Sequence, residues 1–396
     1  PMNSSVFTPF TEKELVPQEE RLEVIKKGGI MTIGVPKESS LNENRVPITP
    51  DAVQVLTQYG YKLMIESDAG KKAFFSDLEY SEAGAFIVDK AKAFEQDLVL
   101  KVSAPSLEEI ELLKPNSYII SALQINLREK EYFKKLSEKK INAIAYEFIE
   151  DENKEQMLVK LIGEIAGGMS VLCASEMLAV SKGLMLGGIT GVRPVEVVVL
   201  GADIVGEYAV RAAIGLGATV RVFDNSLSKL RNIQNSISNR ISTSMIDPKE
   251  LTKSLRRADV LIGTIPRINM PPIVTEKMVT LMKQGSIIVD LTIDTGKCVE
   301  TTEVTDFQKP YIEKHGILHS GLPNLTSKIP RTTSKAISNF FLSYLLKINE
   351  EGGLENVLKL GNDCRQGFYM YKGRHTKQLV CDKFGLKFND INLLLL

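Results

Sequence analysis

The chain has 396 residues, with 49 Lys+Arg balanced by 49 Asp+Glu, 43% hydrophobic and 25% charged residues. That length holds two domains with separate cores, and the even charge balance argues against a nucleic-acid or membrane-surface partner. No apolar run is expected to span a bilayer, the start PMNSSVFTPFTEKELVPQEE lacks a secretory pattern, and the scattered Cys173, Cys298, Cys364 and Cys381 read as reduced cytoplasmic thiols.

Residues 1–30 read as an N-terminal extension, with a surface helix over Glu12–Lys27 that places Leu15, Leu22 and Ile25 on one side. A strand is expected at Met31–Val35, then the polar loop SSLNENRVPITP. Pro50 suits the first turn of a helix carrying Ala52, Val53, Val55 and Leu56. Further strands are expected at Lys62–Glu66, Leu98–Val102, Ser117–Leu123 and Asn142–Tyr146. Helices are expected at Asp77–Gly84, after Ser106, and at Glu129–Glu138. Strand and helix alternate, which predicts a parallel α/β domain. A long helix from about Met157 to Val180, with Ile165, Met169, Leu172 and Met177, links it to the next domain.

The second domain is organised around VEVVVLGADIVGEYAVRAAIGLGATVRVFD at 195–224. Val195–Leu200 is a buried strand, Gly201 a turn, Ile204–Ile214 a helix, and Thr219–Phe223 a second strand ending in Asp224. This is a dinucleotide-binding unit. Gly201 and Gly206 supply the tight turn and the helix–strand contact, and Asp224 suits a ribose diol, which favours NAD over NADP. The middle glycine of the fingerprint is replaced by Asp203. A carboxylate there adds bulk and negative charge beside a pyrophosphate, a cost of about 1–3 kcal/mol. Two escapes exist: the acid turns outward to solvent, or it caps the following helix and competes with the phosphate. Strands at Val260–Thr264, Ile287–Thr292 and Gly316–His319 follow, with helices at Lys249–Arg257 and Thr275–Met282. A long helix over Thr332–Asn349 returns the chain to the first domain.

The expected fold is α/β: two Rossmann-like domains with a cleft between them, the second a doubly wound parallel-sheet NAD-binding domain. Residues 31–156 with 330–396 form the substrate domain and 157–329 the NAD-binding domain.

Several segments together resemble the family of alanine dehydrogenase and the NAD-binding part of proton-translocating transhydrogenase. They are IGVPKE at 33–38, NENRVPITP at 42–50, LVLKV at 98–102, AIAYE at 143–147, GEIAG at 163–167, the 195–224 unit, IVDLTIDTGKCVE at 288–300 and HGILHSGLPN at 315–324. The resemblance implies NAD as cofactor, a small amino acid or 2-oxo acid as substrate, and a homo-oligomer, often a hexamer.

It also implies roles for individual residues. Arg45 matches the arginine that holds the substrate carboxylate, for which a guanidinium is the bidentate partner; taken alone, it is an exposed arginine on a solvated loop. The family's substrate lysine falls at Ser103, two residues after Lys101. The acid/base histidine falls at Gln124, which hydrogen-bonds but does not shuttle a proton near neutral pH. That loss is worth roughly 10²–10⁴-fold in rate unless another group stands in. Asp294, in IDTG, matches an acid near substrate and nicotinamide, or is a turn aspartate before Thr-Gly. The expected catalytic set is therefore Arg45, Gln124, Asp294 and Ser103. The expected cofactor set is Gly201, Asp203, Ile204, Val205, Gly206, Asp224, Thr264, Ile293 and Asn324. His315 and His319, four apart, have no further ligand nearby and read as structural, one packed and one exposed.

These features predict an NAD-dependent oxidoreductase resembling L-alanine dehydrogenase. The alternatives are the NAD-binding component of a transhydrogenase, whose KVxAP resembles KVSAP at 101–105, and a non-enzymatic relative in which Asp203, Ser103 and Gln124 have ended turnover.

Overall fold

A computed structural model describes residues 31–151, 153–237, 241–360 and 365–395. The expected extension with its helix, Cys364 and Leu396 lie outside these residues.

The first part of the chain alternates as its pattern predicts. Strands β1 (Thr32–Val35), β2 (Lys62–Glu66), β3 (Phe86–Val88), β4 (Leu98–Leu100), β5 (Tyr118–Ser121) and β6 (Asn142–Ala145) are separated by helices α1 (Pro50–Gln58), α2 (Asp77–Glu82), α3 (Lys90–Phe94), α4 (Leu107–Leu112) and α5 (Lys130–Glu138). The local chemistry sets the helix starts. Pro50 opens α1, where its missing N–H and fixed φ cost nothing. Ser76 and Ser106 each form a reciprocal capping box with the glutamate three residues on.

Helix α6 (Met157–Lys182) then carries the chain across to β7 (Glu196–Leu200), α7 (Ile204–Gly215), β8 (Thr219–Asp224), α8 (Leu227–Ser236), β9 (Ser242–Met245), α9 (Pro248–Leu255), β10 (Val260–Gly263), α10 (Glu276–Val279), β11 (Ile287–Asp290), β12 (Ile312–Lys314) and β13 (Ile317–Ser320). Helices α11 (Pro330–Glu350) and α12 (Leu354–Leu360) lead back to β14 (Phe368–Tyr371), β15 (Arg374–His375), α13 (Gln378–Phe384) and α14 (Ile391–Leu394).

The strands form two sheets. The first has the order β15-β14-β6-β5-β4-β1-β2-β3 and the second β12-β13-β11-β10-β7-β8-β9. Pairing is parallel except for the hairpin strands at one edge of each sheet, β14–β15 and β12. The chain thus returns to its first sheet after leaving the second.

Each sheet is covered on both faces, which explains why its central strands read as continuous apolar runs. Val99 and Ile119 pack with Phe133 of α5 on one face, while Leu98, Leu100 and Ile120 pack with Leu56 of α1 and Phe341 of α11 on the other. In the second sheet, Val197 and Val199 meet α6 and α7, and Val198 and Leu200 meet Leu251 and Leu255 of α9.

Helices α6 and α7 lie unusually close. A Cβ on Gly167 would stand 2.2 Å from the Val205 carbonyl, and one on Gly163 would stand 2.9 Å from Ile204 Cγ2. The GEIAG stretch is therefore a packing surface for the dinucleotide helix. Helix α6 is also long and apolar enough, by length and composition, to cross a membrane. This departs from the expectation of no such stretch. Its charges are few and spread along the helix, so the apolar character shows in a helical average rather than in an unbroken run. In the fold, Val171, Ala174, Met177 and Leu178 of this helix lie in the core of the second sheet.

Candidate functional site

Leaving aside the hairpin edges, both sheets have the order third, second, first, fourth, fifth, sixth strand of their own unit. The order reverses between β1 and β4 in one sheet and between β7 and β10 in the other. Connections leave such a point in opposite directions and open a crevice at the carboxyl ends of the strands. The loop after β1 carries Glu43 and Arg45, and Ser103 follows β4. The turn after β7 carries Gly201 to Gly206, and Thr264 follows β10. Of the expected residues, Arg45 and Ser103 lie at the first reversal point and Gly201 to Gly206 with Thr264 at the second, whereas Gln124, Asp224, Ile293, Asp294 and Asn324 end or follow other strands.

At the first crevice Arg45 is buried, which corrects its lone reading as an exposed loop arginine. Its Nε and Nη2 donate to Glu43 Oε1 and Oε2 at 2.8 and 2.6 Å, and Nη1 donates to Thr326 Oγ1 at 3.0 Å. Glu43 is the hub. It also accepts from the Arg45 backbone N–H at 3.0 Å, Ser103 Oγ at 3.2 Å, Ser327 Oγ at 3.3 Å and Asn324 Nδ2 at 2.8 Å. Burial pushes the Glu43 carboxyl up, but the Arg45 guanidinium and these donors outweigh it and hold the group below the ordinary carboxylate range. Asn324, Thr326 and Ser327 follow β13 of the second sheet, so this cluster joins the carboxyl edges of both sheets. Ser334 and Ser338 of α11 hold the same loop by accepting the N–H groups of Val46 and Thr49, each at 2.9 Å.

Lys101 is fully buried and has a different task. Its Nζ lies 3.2 Å from Glu38 Oε2 and 3.4 Å from Glu109 Oε2, within ion-pair distance of both but poorly aligned for a hydrogen bond to either. Lys90 reaches the other oxygen of Glu109. Glu38 in turn accepts the backbone N–H of Val102 at 2.6 Å. These charges hold the end of β4 against the β1 loop, and Lys101 points into them.

Gln124 and Asp294 stand apart from the Arg45 cluster. Their side chains make no hydrogen bond or ion pair to it among the described residues. Gln124 is exposed with φ of +49°. Its backbone N–H and that of Leu123 donate to Glu147 Oε1 at 3.0 and 2.8 Å. The other Glu147 oxygen is buried with no partner among the described residues, and burial pushes this carboxyl up. Asp294 is exposed in the turn that follows β11, yet the protein around it, and secondarily Asp290, push its carboxyl above the ordinary range.

At the second crevice the glycine requirements are visible. Gly201 has φ of +112°, and a Cβ on it would stand 2.1 Å from Thr264 Oγ1. A Cβ on Gly206 would stand 2.0 Å from the Gly201 carbonyl. Neither position admits a side chain. Thr264 Oγ1 donates to the Leu200 carbonyl at 2.8 Å. Asp224 is buried and accepts the N–H groups of Ala202 and Ser226, each at 2.8 Å. Ile204, Val205 and Ile293 are half-buried.

Asp203 takes the outward course. Its backbone is ordinary extended chain, with φ −76° and ψ 179°, and its side chain makes no capping bond. The carboxylate instead meets Lys229 Nζ at 2.8 Å. Among the described residues, the first turn of α7 therefore has no side-chain cap from Asp203, leaving N–H groups of the kind that make a helix start an anion site. The turn fits a dinucleotide: tight glycines, free helix N–H groups, and an acid at the end of β8.

Sequence reasoning missed Glu43, Thr326, Ser327, Glu147 and Lys229. Glu43 had a signal, since a carboxylate two residues from a guanidinium on one loop can satisfy it. Thr326 and Ser327 had none, because they are brought from the other sheet.

Comparison with known proteins places the chain. Family models described as "Alanine dehydrogenase/PNT, N-terminal domain" and "Alanine dehydrogenase/PNT, C-terminal domain" match residues 34–166 and 171–378. Alanine dehydrogenase 2 of Staphylococcus aureus strain Mu50 is 33% identical over 368 residues, covering 91% of this chain and 98% of that protein. A solved L-alanine dehydrogenase superposes with a TM-score of 0.84 at 32% identity, over 90% of this chain and 99% of its own. A transhydrogenase from Sinorhizobium meliloti shares the fold, with a TM-score of 0.75 at 23% identity over 88% and 99% of the two chains. With both halves matched in order along one chain, and the two reversal-point crevices where the family motifs fall, the protein belongs to the alanine dehydrogenase/PNT family.

Proposed function

We propose that this protein is an NAD-dependent oxidoreductase of a small amino acid, L-alanine first among the candidates. The balanced reaction is L-alanine, NAD⁺ and water giving pyruvate, ammonium, NADH and a proton. The observation that carries this reading is the Arg45 cluster: a buried guanidinium at the reversal point of one sheet, bonded to Thr326 and, through Glu43, linked to Asn324, both from the carboxyl edge of the other. In this reading 31–156 with 330–396 form the substrate unit and 157–329 the NAD-binding unit.

A guanidinium has five N–H donors. Glu43 takes two and Thr326 one, so two remain for a substrate carboxylate. Because Glu43 stays ionised, the pair is neutral overall, and with Ser103 in place of a second cation the anchor is weaker than a bare arginine would be. Asp294, with its raised carboxyl, is the group suited to exchange protons in the amine and water steps. Gln124 would orient by hydrogen bonding. The turn from Gly201 to Gly206, with Ile204, Val205, Asp224, Thr264 and Ile293, would hold NAD, which supplies the hydride acceptor. Asn324 would fix the position of Glu43 at the edge of the nicotinamide region.

The same reading makes the protein a cytoplasmic homo-oligomer. The free, buried Cys173, Cys298 and Cys381 suit a reducing compartment. Exposed apolar side chains at Leu172, Val180, Met185, Ile189 and Val192 suit a second copy.

Ser103 and Gln124 favour a second reading, the nucleotide-binding component of a transhydrogenase, which binds NADH without turning over an amino acid. The test is NADH titration followed by NAD reduction with L-alanine and other small amino acids across alkaline pH. Binding with turnover supports the dehydrogenase; binding without turnover supports the transhydrogenase component; absence of binding leaves a non-enzymatic relative.

A further inference from the structure

The ion pair between Asp203 and Lys229 is a feature of the dinucleotide crevice that the family fingerprint does not call for. Asp203 holds the position where the fingerprint has its middle glycine. Lys229 lies in the first turn of α8, beyond the loop that follows Asp224. Their 2.8 Å contact therefore spans the rim of the crevice, from the first helix of the unit to the second.

The backbone explains why a side chain is tolerated at 203. Its extended conformation is open to any residue, unlike that of Gly201. What remains against an acid there is charge. An unpaired carboxylate beside the start of α7 would oppose the same diphosphate that the free helix N–H groups attract. Asp203 does not bond to those N–H groups. Lys229 is also held in place: its backbone N–H donates to Ser226 Oγ, and the Ser226 N–H is fixed by Asp224 Oδ1 at 2.8 Å. The acid that reads the ribose thus also anchors the loop that presents the ammonium.

We propose that Lys229 is an affinity-determining residue of this site, cancelling the charge of Asp203 so that a dinucleotide diphosphate can approach a rim that would otherwise repel it. The inference rests on the NAD reading. It differs from an ordinary exposed ion pair, which contributes little to stability, because its effect falls on the ligand rather than on folding. Lys229 acts through Asp203 and is a positioning residue.

The experiment is an NADH fluorescence titration of the full chain in four forms: unchanged, Asp203→Asn, Lys229→Met, and the double variant, each at low and high salt, with circular dichroism to confirm folding. Removing the ammonium alone should weaken NADH about 5- to 10-fold at low salt. The loss should shrink at high salt as the bare carboxylate is screened. The double variant should return to within about twofold of the unchanged protein, because the charge to be cancelled is gone. A purely structural role would not give that recovery. Equal affinity in all four forms, or a double variant as weak as Lys229→Met, overturns the inference and leaves the NAD reading standing. No binding by any folded form overturns both.

Discussion

Glu43 and Arg45, two residues apart on one loop, form a buried two-point ion pair with contacts of 2.8 and 2.6 Å. Removing one partner would strand the other as a buried charge. Glu43→Gln should therefore destabilise the protein by about 3–5 kcal/mol, as broken buried pairs do. Denaturant unfolding measures this, and a change under ~1 kcal/mol would contradict the hub role.

The same pair sets a pH dependence. The folded-state pKa of Glu43 lies below its ordinary value of 4.5. Its contribution is therefore fully present above about 4.5 and is lost as pH falls through the lower folded value. The thermal midpoint should fall as the solution is acidified below that point, and the fall should be shallower in Glu43→Gln. Parallel curves for the two proteins would refute the assignment.

His319 gives a second, separate window. It is buried, with Thr301 Oγ1 2.8 Å from its Nε2 and the Ile317 carbonyl 3.0 Å from its Nδ1. Burial lowers its pKa from 6.5 to about 4. The unfolded chain thus takes up a proton that the folded chain refuses. Stability from this group is complete above 6.5 and declines as pH falls from 6.5 towards 4. An NMR titration should find this imidazole neutral at pH 6, whereas the half-exposed His315 beside Glu276 lies outside the core. A His319 that titrates near 6.5 would show the site is open.

Ser103 and Gln124 stand where the family resemblance places a lysine and a histidine. Ser103 is buried and touches Glu43, so a lysine there would add a cation to the anchor, while Gln124 is exposed and has room for an imidazole. The double variant Ser103→Lys, Gln124→His should raise kcat/KM for L-alanine by at least tenfold, with the histidine acting mainly on kcat. A folded double variant with unchanged turnover would show that these two positions are not what limits the chemistry.

The packing of α6 on α7 is testable through Gly167. A methyl group there meets the Val205 carbonyl at 2.2 Å and Ala209 N at 2.9 Å, both backbone atoms that cannot rotate away. Gly167→Ala should destabilise by about 1–3 kcal/mol and, on the NAD reading proposed above, in which the start of α7 meets the phosphates, weaken NADH as well. Gly168→Ala, with open space around its Cβ, is the control and should do neither.

Much of the architecture was legible because it rests on local rules. Alternating apolar strands and capped helices located β1, β2, β4 to β6, α1, α6 and α11, the last two within three residues at each end. Strands β3, β9, β12, β14 and β15 were not foreseen. β9 (STSM) is a polar edge strand without an alternating pattern, and it is a strand only because β8 pairs with it. β14 (FYMY) is four apolar residues whose antiparallel place beside β6 depends on the path of the returning chain.

The sequence by itself determined the dinucleotide-type turn, since the positive φ of Gly201 and the 2.0 Å approach of a Gly206 Cβ to the Gly201 carbonyl both arise within one strand–turn–helix unit. It also determined the family and the order of strand and helix. Only the tertiary structure decided what the charges do. Arg45 is buried and shared with Glu43 and Thr326, Lys101 is locked among Glu38 and Glu109, and Asp203 is turned onto Lys229. A charged side chain is defined by the groups that meet it, and these can be far along the chain: Lys229 lies 26 residues from Asp203 and Thr326 lies 281 from Arg45. Spacing along the chain carries helix and strand periodicity; it does not carry which loops meet across two sheets.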